Sequence, residues 1–247
     1  MNAHNLPTRR DEAWRYSDFA ALQAVWPVPV PDKIIVAAGE SRQVSLVQDA
    51  AADATAVRDY TIEVGVGASF AMQLVNSGGR LGRVALDVTL YEGASFELDA
   101  ALIAGGEQTI ELVTTVRHFE ANATSRQTVR GIAGASSTIS YLGKVAVSRD
   151  AQKTDSVQSV KGMLLDRSAT VNAKPELEIY ADDVKCAHGA TVGELDAQAL
   201  FYLASRGLPP ADAKALLLRA FVSGLFDGAE DAAQFTAAID AALERVL

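Results

Sequence analysis

Between Lys33 and Val192 the chain runs in short segments of period-two alternation, punctuated by Gly, Asn, Ser and Asp. Val84, Leu86, Val88 and Leu90 interleave with Ala85, Asp87, Thr89 and Tyr91. Successive side chains of an extended strand point to opposite faces, so such a run has one apolar face to bury. Thr61 to Val66, Phe96 to Ile103, Thr109 to Phe119, Ser137 to Val147 and Glu176 to Tyr180 read the same way, and no long helical pattern interrupts them. The expectation is an all-β body of many short strands.

A weak repeat sits on this pattern. Gly-Ala-Ser occurs at 67–69, 93–95 and 134–136. Looser relatives are Asn122-Ala123-Thr124, Ser168-Ala169-Thr170 and Gly189-Ala190-Thr191. A stacked β-solenoid needs small residues where each coil turns a corner: glycine for the unusual φ, alanine so that neighbouring corners approach. Irregular spacing then means corner loops of different length. A sandwich with glycine-containing turns is the competing reading. A solenoid also has open ends, whose unpaired strands must be capped or paired with another chain.

Both flanks differ in texture. TRRDEAWRYSDFAALQAV predicts a short amphipathic helix whose Trp14, Tyr16 and Phe19 either dock on the main body or serve a partner. Trp26 to Pro31, with three prolines at alternate positions, reads as an extended linker. After Gly193 three helices are predicted. Asp196 caps Ala197 to Arg206, which Gly207 stops. Pro209 and Pro210 open the second, whose run Leu216 to Phe226 is too wide for one packing face. The third spans roughly Glu230 to Val246. These helices form either a bundle packed on the solenoid end or a docking module for another subunit. The expected organisation is residues 1–32 as a helical segment and linker, 33–195 as a β core, and 196–247 as a helical domain.

Composition narrows the function classes. A formal net charge of −9 opposes nucleic-acid binding, which needs clustered Lys and Arg. One cysteine forms no internal disulfide and fits a reducing compartment. No apolar run reaches the length of a membrane span, and MNAHNLPTRRDEAW lacks a signal-peptide core, so a cytoplasmic protein is expected. No phosphate loop, HExxH or GxSxG is present. Asn76-Ser77-Gly78-Gly79 reads as a turn, and Asp182 and Asp183 as solvated turn acids.

One stretch carries chemistry. YADDVKCAHGATVGEL, Tyr180 to Leu195, holds the single cysteine, Cys186, and His188, one of three histidines. If it is extended, both project from one face as a pair of soft-metal ligands. A nucleophile–base pair would still need an orienting group and an oxyanion hole. A closed metal site takes about four ligands, and His4 and His118 are distant in sequence. A second chain at the open end of a solenoid would supply the rest. The plain alternative is a packed thiol and a structural imidazole.

The segment Lys174 to Leu208, with DDVKC-x-HGATVG followed by LD-x-x-ALFYL-x-SRG, closely resembles the signature region of the SufD family of the SUF iron–sulfur cluster assembly system. Gln158 to Ile179 and the opening TRRDEAWRYSDF are similar to that family as well, although the chain is short for it. The resemblance implies a right-handed parallel β-helix with helical pieces at both ends. It implies a scaffold subunit that is not an enzyme, paired with a SufB-like paralogue through the β-helix edge. The C-terminal helices would hold a SufC-like ABC ATPase, and a homodimer would form when the chain is alone. SufB-like chains are the nearest alternative, but they carry an upstream cysteine where this chain reads RSATVNAKPELEI, with none, and the downstream KCAHGATVG also points to SufD; a stand-alone β-helix enzyme is the other alternative. By position, His188 matches the family histidine at the SufB–SufD interface near the nascent cluster, and Cys186 its neighbouring cysteine. Neither the partner's ligands nor a flavin site is readable from these residues.

Overall fold

The computed structural model describes residues 5–247, so His4 lies outside the described residues. Twelve strands follow one another: β1 (Asp32–Val36), β2 (Ser41–Gln48), β3 (Thr55–Val64), β4 (Ser69–Asn76), β5 (Leu81–Leu90), β6 (Ser95–Ala104), β7 (Thr109–His118), β8 (Thr124–Ala133), β9 (Thr138–Val147), β10 (Asp155–Leu164), β11 (Thr170–Ile179) and β12 (Lys185–Glu194). Odd strands form one six-stranded sheet and even strands a second, each in the order of the chain. All pairings are parallel. This is a parallel β-solenoid of about six turns, two strands per coil, and the sandwich alternative is excluded.

The corners explain the repeat. Gly39, Gly67, Gly93, Asn122 and Lys153 all have positive φ and occupy the same corner, between an odd strand and the next even one. Their N–H groups stitch successive coils: Gly39 donates to Val66 O, Gly67 to Glu92 O, Gly93 to Ala121 O, Asn122 to Gln152 O and Lys153 to Asp183 O. Ala68, Ala94 and Ala123 follow as a buried column, where a larger side chain would hold the coils apart. One expectation fails here. The third Gly-Ala-Ser lies on the opposite corner, between β8 and β9, and its positive φ belongs to Ala135 and not Gly134. Tripeptide identity did not distinguish two corner columns with similar steric needs.

Between the sheets the core is a set of stacked rows. Phe70 and Phe96 stack with ring centroids 6.1 Å apart, and Met72 and Leu98 continue the adjacent row. Each fully buried side chain of this size removes roughly 1.5–3 kcal/mol of apolar exposure.

The flanks pack on the outer faces. The N-terminal segment is not the single expected helix. It forms a 3-10 turn, Glu12–Trp14, and a short helix α1 (Phe19–Gln23), separated because residues between them serve other contacts. Ser17 Oγ donates to Glu111 Oε2 at 2.8 Å, and Asp18 caps α1 by accepting from Ala20 and Ala21 N–H. Trp14 covers the Arg83 guanidinium at 3.7 Å, and Arg83 pairs with Glu111 at 2.9 Å inside this cover. Trp14 and Phe19 of the aromatic cluster are therefore docked on the odd-strand sheet, with Leu81 and Val57.

The C-terminal helices α2 (Ala197–Ser205), α3 (Pro210–Ser223) and α4 (Ala232–Val246) begin as expected: Asp196 accepts from Gln198 N–H, and Gly207 adopts positive φ. They do not cap the solenoid end. Leu218, Val222, Phe226, Phe235, Ile239 and Leu243 pack on Val75, Ala101, Ile103 and Ile132, the outer face of the even-strand sheet. Those four positions make this face apolar, so it needs its own cover. From Leu218 on, the long apolar run is shared between the sheet and α4, while Leu216 at its start stays exposed. None of the described helices is long and apolar enough to cross a membrane.

Candidate functional site at the open end

With the helices on the flank, the last coil of the solenoid has no further strand on β11 or β12 among the described residues. Register carries the interior rows outward to this end. Phe96 lies opposite Ser125, Ser125 opposite Ser156, and Ser156 opposite Cys186. One step along, Leu98 is followed by Gln127, Gln158 and His188. Ser156 and Gln158 are buried inside, and parallel partners share a face, so Cys186 and His188 are the last members of two interior rows. Cys186 is half-buried against the core, while His188 is exposed because no seventh coil covers it. The opposite wall, β11, presents the apolar residues Val171, Ala173 and Leu177. β11 also carries Pro175, which has no N–H to offer a new strand, whereas β12 has no proline.

The rows change character as they approach this end. Aromatic and aliphatic residues give way to hydroxyls and amides. Ser125 and Ser156 hydroxyls lie 2.8 Å apart, and His118 Nε2 lies 2.9 Å from Ser125 Oγ. In the other row Thr114 Oγ1 and Tyr141 Oη both donate to Gln127 Oε1, at 2.7 and 3.1 Å, and Gln158 Nε2 donates to Tyr141 Oη at 3.0 Å. Burial pushes the Tyr141 hydroxyl up to about 12, so it keeps its proton at neutral pH. Tyr141 can lie along its strand only because residue 143 is glycine: a Cβ there would fall 2.1 Å from Tyr141 Oη.

Sequence reasoning missed these residues, although a signal existed. Ser125-x-Gln127-x-Val129-x-Gly131 recurs as Ser156-x-Gln158-x-Val160-x-Gly162, and Cys186-x-His188-x-Ala190-x-Val192 is the next coil's version. A period-two comparison of strands would have found this; a search on corner tripeptides does not.

The sequence-derived pair is brought together on one face of β12, but His118 does not join it. His118 is buried two coils back, where burial pushes its imidazole down to about 4. Burial also pushes the Cys186 thiol up, the Asp155 carboxylate adds to this, and the Ser156 backbone works against it. The chain alone therefore holds Cys186 as a thiol at neutral pH. Among the described residues no group of three or more His, Cys, Asp and Glu could hold a metal ion. Asp183 is a corner residue paired with Lys153, as a turn acid should be. A groove of about 210 Å³ on the odd-strand sheet is lined by Glu12, Thr115, Arg117, Lys144 and Glu176. Its charges are paired: Lys174 with Glu12 and Glu176, Lys144 with Glu178, and Arg117 with Asp87.

Residues 33–221 match the model of the SUF system FeS cluster assembly SufBD core domain. The chain belongs to the SufBD family. It is 34% identical over 192 residues to a SufBD family iron–sulfur cluster assembly protein of Synechocystis, covering 76% of this chain and 42% of that one. It is 34% identical to SufD of Escherichia coli over 57% of this chain and 33% of that protein. It is 37% identical to the chloroplastic protein ABCI7 of Arabidopsis thaliana, over 62% of this chain and 33% of that one. The chain thus spans less than half the length of these relatives. The match runs from the second residue of β1 through the solenoid and α2 to within two residues of the end of α3.

Proposed function

We propose that this chain is a SufD-like, non-catalytic subunit of a cytoplasmic scaffold on which iron–sulfur clusters are assembled. The observation that carries the reading is the open last coil: an unpaired β12 edge, free of proline, with Cys186 and His188 at the mouth of the interior. An exposed strand edge is a template for pairing with another chain. A SufB-like paralogue added there would cover both side chains and supply the missing ligands. His188 and Cys186 would then hold iron or the nascent cluster, which is the scaffold's cargo, between imidazole, thiolate and the partner's groups. Two ligands from one chain bind weakly; a partner that adds ligands without reorganisation strengthens the site. In the absence of the paralogue the same edge pairs with a second copy.

The C-terminal helices serve the energy source, a SufC-like ABC ATPase. The sheet and α4 cover most of the run Leu216 to Phe226 but leave Leu216 44% exposed, and α2 offers the freer surface. That helix has no buried residue, and Phe201 and Tyr202 are 77% and 56% exposed. The experiment is co-expression with SufB-like and SufC-like chains, followed by cluster absorbance and subunit stoichiometry of wild type and His188→Ala. Loss of cluster from an intact complex supports the reading. A His188→Ala complex with full cluster content sinks it.

A further inference from the structure

The interior of the last coils holds an acceptor that nothing in the described chain uses. Gln158 is buried, its Nε2 donates to Tyr141 Oη at 3.0 Å, and its Oε1 has no partner. Turning this amide over alone does not correct this. Tyr141 gives its one hydroxyl proton to Gln127 Oε1, so toward Gln158 it can only accept. Gln127 Oε1 also takes the Thr114 proton, so the bonds of this row run in one direction, leaving Gln127 Nε2 and Gln158 Oε1 as its two unpartnered ends. A buried carbonyl oxygen left in this state costs free energy until a donor reaches it.

Register sets one donor beside it. His188 lies opposite Gln158 on the same face, and no strand follows among the described residues. The neighbours on the same face of β10 offer nothing: Val160 has no donor, and the Ser156 hydroxyl is engaged with Ser125. A neutral imidazole carries one N–H, and the exposed His188 ring is free to turn inward. We propose that Gln158 is a positioning residue for His188: its Oε1 accepts the imidazole N–H and thereby aims the other, bare ring nitrogen out of the open end. Metal-binding histidines are held this way, by a second bond from the ring N–H to a carbonyl or carboxylate. The purpose of the device rests on the reading of His188 as a ligand; the hydrogen bond itself does not.

The test uses the whole chain, 15N-labelled, at pH 8, with the ring signals of His188 assigned by their loss in His188→Ala. The expected result is one dominant tautomer and a ring N–H that exchanges with water roughly 5-fold more slowly than in Gln158→Met, the factor that one net hydrogen bond supplies. Gln158→Glu keeps an oxygen acceptor and restores the protection. If Gln158→Met does not fold, Tyr141→Phe replaces it, since freeing the amide to rotate should cost the same protection with Gln158 still present. Equal exchange rates and equal ring 15N shifts in wild type and the acceptor-free variant overturn the proposal. No cluster is involved, so that result leaves the ligand role of His188 to the cluster content of the His188→Ala complex.

Discussion

Acidification should destabilise this fold through His118, by an amount set by its burial. The imidazole is fully buried at the end of β7 and is pushed down to about 4, while in the unfolded chain it titrates near 6.5. Between these values the unfolded state binds a proton that the folded state does not. Stability present above pH 6.5 is therefore lost as pH falls, until the folded imidazole also titrates near 4. The full gap is worth about 3 kcal/mol, and moving from pH 7 to pH 5 removes about 2 kcal/mol of it. The perturbation is His118→Gln, which keeps a side-chain amide within reach of Ser125 but does not titrate. Urea unfolding at pH 7, 6 and 5 gives the stability of each protein, with constant slopes as the check on two-state behaviour. The variant should start lower at pH 7 yet lose about 2 kcal/mol less than wild type on the way to pH 5. Asp59 and Asp99, whose carboxyls burial holds above the usual range, are common to both proteins and cancel in the difference. Parallel losses in the two proteins would refute the argument that burial keeps His118 neutral.

Other outcomes follow from the same structure. Arg83→Met should cost about 3–5 kcal/mol by stranding the buried Glu111 carboxylate, and should release Trp14, read as a red-shifted fluorescence and a lower melting temperature. Gly143→Ala should cost about 1–3 kcal/mol, because the added methyl displaces Tyr141 from its bonds; an unchanged melting temperature would show that the row has slack. Phe201→Asp should leave stability within about 0.5 kcal/mol, the side chain being exposed, yet abolish capture of the ATPase in a pull-down.

The pattern of legibility has physical causes. Alternation alone marks Cys186 and His188 as neighbours on one face, because strand geometry is local and has a period of two. The caps at Asp196 and Gly207 are equally local, so they were readable to the residue. The N-terminal segment was not. Its apolar residues suit a helix, but Ser17 and Asp18 make contacts to Glu111 and Arg80 across the outer face, and these break the helix in two.

Two decisions belonged to the tertiary structure. Periodicity gives each helix an apolar stripe without saying which surface receives it; the outward-facing Val75, Ala101, Ile103 and Ile132 put α3 and α4 on the flank of the even-strand sheet and so left the last coil uncovered. The second decision is register. Stacking in parallel, one residue directly over its partner, turns three separate segments into the rows Ser125–Ser156–Cys186 and Gln127–Gln158–His188. By itself the sequence pattern determined an all-β body with helical flanks and a thiol and an imidazole on one strand face, and the resemblance to SufD chose the β-solenoid over the sandwich. Only the fold decided that these two side chains end the polar interior rows at its open mouth, because burial and register depend on what lies one coil away in space, some thirty residues away along the chain.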